Sequence, residues 1–167
     1  MNYLASMGLR LLLVAGVLLP LTAPAELVGE PAPDFVLKSV SGTNLRLSEY
    51  RGRVVMLGFW ASWCGDCRAQ LRSLEEMFEL ADDAGFEMLT ISLDGDRRQA
   101  VDVASSMKLS FPVLLDPTGS VGEMYEVNSM PHVALVDRDG VIRAEFAGFR
   151  RGVREDYMEQ IRALLNE

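Results

Sequence analysis

Two cysteines occur in the chain, both within Trp63-Cys64-Gly65-Asp66-Cys67. Thiols at this spacing can form a structural staple, ligate a metal, or exchange electrons. A staple closing a loop of about four residues removes little chain entropy and stabilises a fold poorly. A four-ligand zinc site lacks donors, because the single histidine, His132, adds at most a third ligand. What remains is a dithiol/disulfide couple, in which one thiolate attacks a disulfide and the second thiol resolves the product. That chemistry calls for no cofactor and no metal.

Such a pair needs elements that expose one sulfur and shelter the other. Residues 53–60 are a continuous apolar run rich in β-formers, as expected of a central strand covered on both faces. Helical periodicity follows at once. Cys67, Leu71, Leu74, Phe78 and Ala81 form one apolar stripe, with Arg68, Arg72, Glu75, Glu79 and Asp82 on the polar side. Gly85 sits where a helix stop is wanted.

The rest of the chain reads as further strands and helices. Residues 26–33 are Pro-rich and extended. Residues 34–37 and 44–47 flank Ser41-Gly42 as a short hairpin. A strand over 86–93, a helix over 97–107, a short strand over 112–116 and a short helix over 119–126 come next. Residues 132–137 and 141–146 flank Arg138-Asp139-Gly140, a strong hairpin signal. Val153, Tyr157, Ile161 and Leu164 mark a final amphipathic helix. Strand–helix–strand crossovers impose parallel pairing, and the late hairpin adds antiparallel strands. The expected fold class is α/β: a central mixed sheet flanked by helices, with an N-terminal β-hairpin extension.

At 167 residues, 49% hydrophobic and 24% charged, the chain has the size and composition of one globular domain. Residues 1–25 stand apart. They carry one charge, Arg10, then an apolar stretch from Leu11 to Leu19, Pro20, and small residues in Ala23-Pro24-Ala25. The apolar stretch is about half of the ~20 residues a spanning helix needs. The expectation is a signal peptide over 1–25 cleaved after Ala25, or an uncleaved membrane anchor, ahead of a single domain over 26–167. Either places the domain outside the cytosol, in a periplasm or otherwise exported. A lipoprotein anchor is excluded, since no cysteine lies near the cleavage site. Losing residues 1–25 removes Arg10 and no acid, so the formal charge moves from −8 to −9. A surface of that sign excludes nucleic acid as a partner.

The site residues carry a family resemblance. A strand ending in Gly58-Phe59-Trp60-Ala61-Ser62-Trp63, then Cys-x-x-Cys opening a helix, resembles the thioredoxin superfamily. Gly29-Glu30-Pro31-Ala32-Pro33-Asp34-Phe35 is similar to the opening of its redoxin (AhpC/TSA-type) branch. With the Phe111-Pro112-Val113 to Asp116 stretch, residues 27–165 resemble the TlpA/ResA-like exported thiol–disulfide oxidoreductases. The resemblance implies a thioredoxin-like fold and a protein-disulfide reductase. It also implies client protein disulfides, apocytochromes awaiting haem among them, and a membrane thiol donor. It places a cis-proline, Met130-Pro131, opposite the dithiol, with the Met130 backbone free to pair with an extended substrate segment.

The physics of the pair assigns its roles. Cys64 reads as the first helical position, where unpaired N–H groups and the helix dipole favour an anion by ~0.3–1 kcal/mol. Cys67 lies one turn in on the apolar stripe, sheltered and less ionised. Cys64 is therefore the expected nucleophile and Cys67 the resolving thiol. Trp60 and Trp63 are expected to pack beside the site, with substrate contact as a second role. His132 reads either as an ordinary strand residue or as a group tuning the dithiol.

Two departures from the family pattern bear on tuning. The residue before the second cysteine is commonly Pro, and here it is Asp66. A carboxylate there competes for the same N–H groups and repels the thiolate. At ~6 Å and an effective dielectric of ~20–80, the repulsion is roughly 0.7–3 kcal/mol. It biases the couple toward donating electrons. Second, the buried acid that thioredoxins keep two residues before the Phe-Trp-like strand end has no counterpart near Gly58. The resemblance offers Asp94 or Asp96, at the end of the second strand, as the substitute proton acceptor for Cys67; the alternative is a solvated loop acid or a cap for the helix at Arg97, the favoured reading for Asp96.

Two other functions compete. A thiol peroxidase needs Thr or Ser three residues before its reactive cysteine, and that position is Ala61. A redox-inert binding module on a thioredoxin scaffold has no reason to keep both cysteines at the helix entry.

Overall fold

The computed structural model describes residues 27–80 and 85–167. The signal or anchor expected over residues 1–25 lies outside the described residues, as do Ala81 and Asp82.

Seven strands form one mixed sheet in the order β2-β1-β5-β4-β3-β6-β7. The hairpin β1 (Val36–Ser39) and β2 (Asn44–Arg46) occupies one edge, with β1 antiparallel to β5 (Val113–Leu115). The central strands β3 (Val54–Trp60) and β4 (Phe86–Ser92) run parallel, as do β4 and β5. The second hairpin, β6 (His132–Val136) and β7 (Ile142–Ala147), joins antiparallel along β3. Its turn brings Gly140, at φ +81°, so close to Arg51 that a Cβ would lie 2.0 Å from the guanidinium carbon. The left-handed φ favours glycine there, and the Arg51 guanidinium occupies the space a side chain would take.

Every residue of β3 is buried, as the unbroken apolar run requires of a strand covered on both faces. Alternation divides the core in two. Val54, Met56 and Trp60 pack with α1 (Cys67–Leu80), α2 (Arg97–Met107) and α4 (Val153–Leu165). Val55, Leu57 and Phe59 pack on the other face. There the short helix α3 (Ser120–Met124), the extended N-terminal segment and a one-turn 3-10 helix (Leu47–Tyr50) cover them. The cysteines belong to the first face, with Leu71, Leu74 and Met77 of α1 behind them.

Candidate active site

The chain leaves β3 at Trp60, which is buried beneath the cysteines in the same cluster. A tight turn follows, closed by the Cys64 N–H donating to the Ala61 carbonyl at 3.1 Å. The helix starts later than the sequence suggested. Its first residue is Cys67, and the Asp66 carbonyl accepts the first helical bonds, from the N–H groups of Ala69 and Gln70 at 3.1 Å each. Gly65 is a poor helix former and Asp66 suits a cap position, so the turn ahead of them stays outside the helix. Cys64 is thus not the first helical residue, and Cys67 is not one turn in.

The physical consequence expected of the helix entry survives that shift. The cysteines are joined as a disulfide (S–S 2.11 Å, Cα–Cα 5.4 Å). The N–H of Cys67, one of the four that a helix start leaves unpaired, donates to Cys64 Sγ at 3.2 Å. Cys67 is wholly buried, whereas Cys64 keeps 8% of its surface and lines an open groove. Asp66 is exposed and lines the same groove, but its carboxylate makes no hydrogen bond among the described residues. Competition for the N–H groups is therefore absent, and only charge repulsion remains.

The groove has a volume of about 550 Å³. Trp63, Cys64 and Asp66 line one wall, and Val127, Asn128, Ser129 and Met130 the other. Trp63 stands 70% exposed at its rim. Met130-Pro131 is a cis bond immediately ahead of β6, and Met130 lines the groove together with Cys64. Residues 127–129 were not singled out in the sequence. They follow a short helix with no periodic signal, and only the return of the chain to β6 brings them beside Cys64.

Two candidates for tuning are placed differently. In β6, Val133 and Leu135 face the cysteine side, so His132 points with Ala134 and Val136 to the opposite face. Its ring meets Phe59 edge-on at 5.9 Å, and its Nε2 lies 3.4 Å from Glu145 Oε1. Burial holds its pKa below the usual imidazole value, and Glu145 partly offsets this. This placement favours the ordinary strand residue of the two readings. Asp94 is buried, and its carboxylate is taken up by Ser62 and Ser92. Asp96 caps α2, accepting from the Arg98 N–H at 2.9 Å.

Gln70 is a buried polar residue that the periodicity passed over, because Leu71 beside it completes the apolar stripe. Its Nε2 donates to the Tyr157 hydroxyl of α4 at 3.3 Å. Position i+3 from Cys67 on the same helix was the available signal.

Similarity to known proteins agrees with this geometry. Residues 28–145 match the AhpC/TSA family. The chain is 32% identical over 124 residues to the thiol–disulfide oxidoreductase ResA of Geobacillus kaustophilus, covering 74% of this chain and 71% of that one. It is 35% identical over 117 residues to the thioredoxin-like protein YneN of Bacillus subtilis, covering 69% and 68%. Among solved structures, a putative thiol:disulfide interchange protein DsbE from Chlorobium tepidum superposes with a TM-score of 0.79 at 36% identity. That match spans 83% of this chain and 97% of the other. The exposed lipoprotein thioredoxin Etrx1 of Streptococcus pneumoniae superposes with a TM-score of 0.71 at 32% identity, over 79% and 100%. A thioredoxin-like sheet, a buried and a groove-lining cysteine in one disulfide, and these relatives agree: the chain belongs to the AhpC/TSA family and, within it, to the ResA-like thiol–disulfide oxidoreductases.

Proposed function

We propose that the protein is an exported reductase of client protein disulfides, with Cys64 as nucleophile and Cys67 as resolving thiol. The observation that carries this reading is the asymmetry of the pair. One sulfur lines the groove with a helix-start N–H aimed at it, and the other is wholly buried. In the reaction, the Cys64 thiolate attacks one client sulfur and the other leaves as a thiolate. Cys67 then gives up its proton and attacks Cys64 Sγ, releasing the second client thiolate. The client gains two electrons and the chain ends as the Cys64–Cys67 disulfide. Met130 offers its backbone to an extended client segment, and Trp63 contributes apolar surface at the rim.

The reducing direction rests on Asp66. Its carboxylate stands beside Cys64 without a counter-bond, so it disfavours the thiolate, with solvent exposure keeping the effect at the low end of the Coulomb range. Residues 1–25 supply export, by cleavage or as an anchor. A membrane thiol donor returns the electrons, and apocytochromes awaiting haem are among the clients, as the family resemblance implies.

The deciding measurement is the reduction potential of the couple. A value more negative than about −220 mV supports the reductase, and one near −120 mV makes it an oxidant. Asp66→Asn is expected to lower the pKa of the reduced Cys64; an unchanged or higher value removes Asp66 from the account. Reduction of insulin, without consumption of hydrogen peroxide, separates this reading from a peroxidase and from a redox-inert scaffold.

A further inference from the structure

The parallel register pairs Trp60 of β3 with Ser92 of β4 at the ends of both strands. Two residues beyond each end, Ser62 meets Asp94. The Ser62 N–H lies 3.0 Å from both carboxylate oxygens, and its Oγ donates to Oδ1 at 2.7 Å. Ser92 Oγ donates to Oδ2 at 2.8 Å. Three hydrogens therefore reach the carboxylate, the Ser62 N–H being shared by both oxygens and each hydroxyl serving one, so most of its roughly four acceptor sites are taken. No cation pairs with Asp94 among the described residues, although it is only 3% exposed. Its charge is held by these bonds alone, and bonds to an ionised acceptor are about twice as strong as neutral ones.

We infer that Asp94 is a positioning residue for the redox couple: through Ser62 it keeps the Cys64 turn against the start of α1 when the disulfide is open. The inference rests on the exchange reaction above and adds a residue to it. While the disulfide is closed, Cys64 is tied covalently to Cys67. Reduction breaks that tie, and the bonds left on the turn include the Cys67 N–H to Cys64 Sγ, the Cys64 N–H to Ala61 and the Asp94 clamp two residues upstream. Keeping the two sulfurs together raises their effective concentration for one another. The clamp thus favours closing of the disulfide, which makes the dithiol a stronger reductant. It also speeds the step in which Cys67, having lost its proton, displaces the client thiolate from Cys64. The role given to Asp94 is to hold Ser62, in place of the proton acceptor for Cys67 that the sequence suggested.

The test uses the full chain with Asp94→Ala, Asp94→Asn and Ser62→Ala. Each is equilibrated in dithiothreitol buffers, the dithiol fraction is read by alkylation, and decay of a mixed disulfide at Cys64 is followed across pH. Asp94→Ala is expected to shift the equilibrium about tenfold toward the dithiol, ~30 mV less negative, and to prolong the mixed disulfide. Asp94→Asn, whose amide can still bond both hydroxyls and the Ser62 N–H, is expected to recover most of the loss. Ser62→Ala is expected to move the equilibrium the same way by less, since its N–H remains. The pH profile of decay keeps its shape throughout. An equilibrium unchanged in Asp94→Ala overturns the inference. So does an Asp94→Asn protein as slow as Asp94→Ala with a limb lost from its pH profile, which would assign proton transfer to Asp94. If Asp94→Ala does not fold, Ser62→Ala decides, and an unshifted equilibrium there overturns the clamp. The equilibrium needs no client, so a wild-type couple that exchanges with dithiothreitol but not with protein disulfides defeats the proposed function and leaves the clamp intact.

Discussion

His132 follows directly on Pro131, yet strand alternation turns its ring toward Phe59 and Glu145 and away from the cysteines. Its folded pKa lies below the usual imidazole value of about 6.5 because burial disfavours the cation. A base whose pKa is depressed by folding stabilises the fold fully above its unfolded pKa. That contribution is lost as pH falls through the unfolded value toward the folded one, where only the unfolded chain binds the proton. Replacing His132 with Gln is therefore expected to flatten the loss of stability on acidification below pH ~6.5, read as the urea midpoint against pH. The same variant is expected to leave the Cys64–Cys67 potential at pH 7 unmoved, and a shift there would show that His132 reaches the dithiol. The cysteines were legible as a redox pair from their count and spacing alone. Ser62 was not, because its partner lies thirty-two positions away and meets it only through the β3–β4 register.

The element that matters most to the site is α1, since Cys67 is its first residue and Leu71 and Leu74 anchor it to the sheet. Leu74 is wholly buried, and it packs so closely over Gly58 of β3 that a Cβ built there would lie 3.3 Å from its Cδ1. Leu74→Ala is expected to cost about 2–5 kcal/mol, the range for deleting a core leucine in a site that only partly collapses. Urea unfolding at fixed redox state measures it; a cost below about 1 kcal/mol would mean the helix is held elsewhere. The strands and helices were readable because each buries a face, and burial imposes a period on the sequence. The start of α1 was not, because the apolar stripe sets which side of a helix is inside and says nothing of where the first turn closes. Gly65 and Asp66 decide that, by propensity and capping. The groove wall at Val127, Asn128 and Ser129 carries no period, since these residues are placed by the chain's return from α3 to β6.

At the scale of the whole molecule, the potential of the couple and the stability of the fold are linked. Oxidising the folded chain and oxidising the unfolded chain differ in free energy by the same amount as unfolding the two redox forms. Each ~30 mV by which the folded couple lies below the unfolded one appears as ~1.4 kcal/mol of extra stability in the disulfide form. The features around Cys64 act with that sign. Asp66 makes the thiolate costly, and the Asp94–Ser62 clamp holds the turn ready for ring closure. A folded state built in this way prefers the disulfide. The oxidised protein is therefore expected to unfold at higher urea than the reduced protein in matched buffers, both transitions being two-state for a domain of this size. Asp94→Ala should narrow the gap by destabilising the reduced form less than the oxidised one, in step with its shift in potential. A reduced form more stable than the oxidised one would mean that folding favours the dithiol. The couple would then draw electrons from its clients, and the reductase direction would fall.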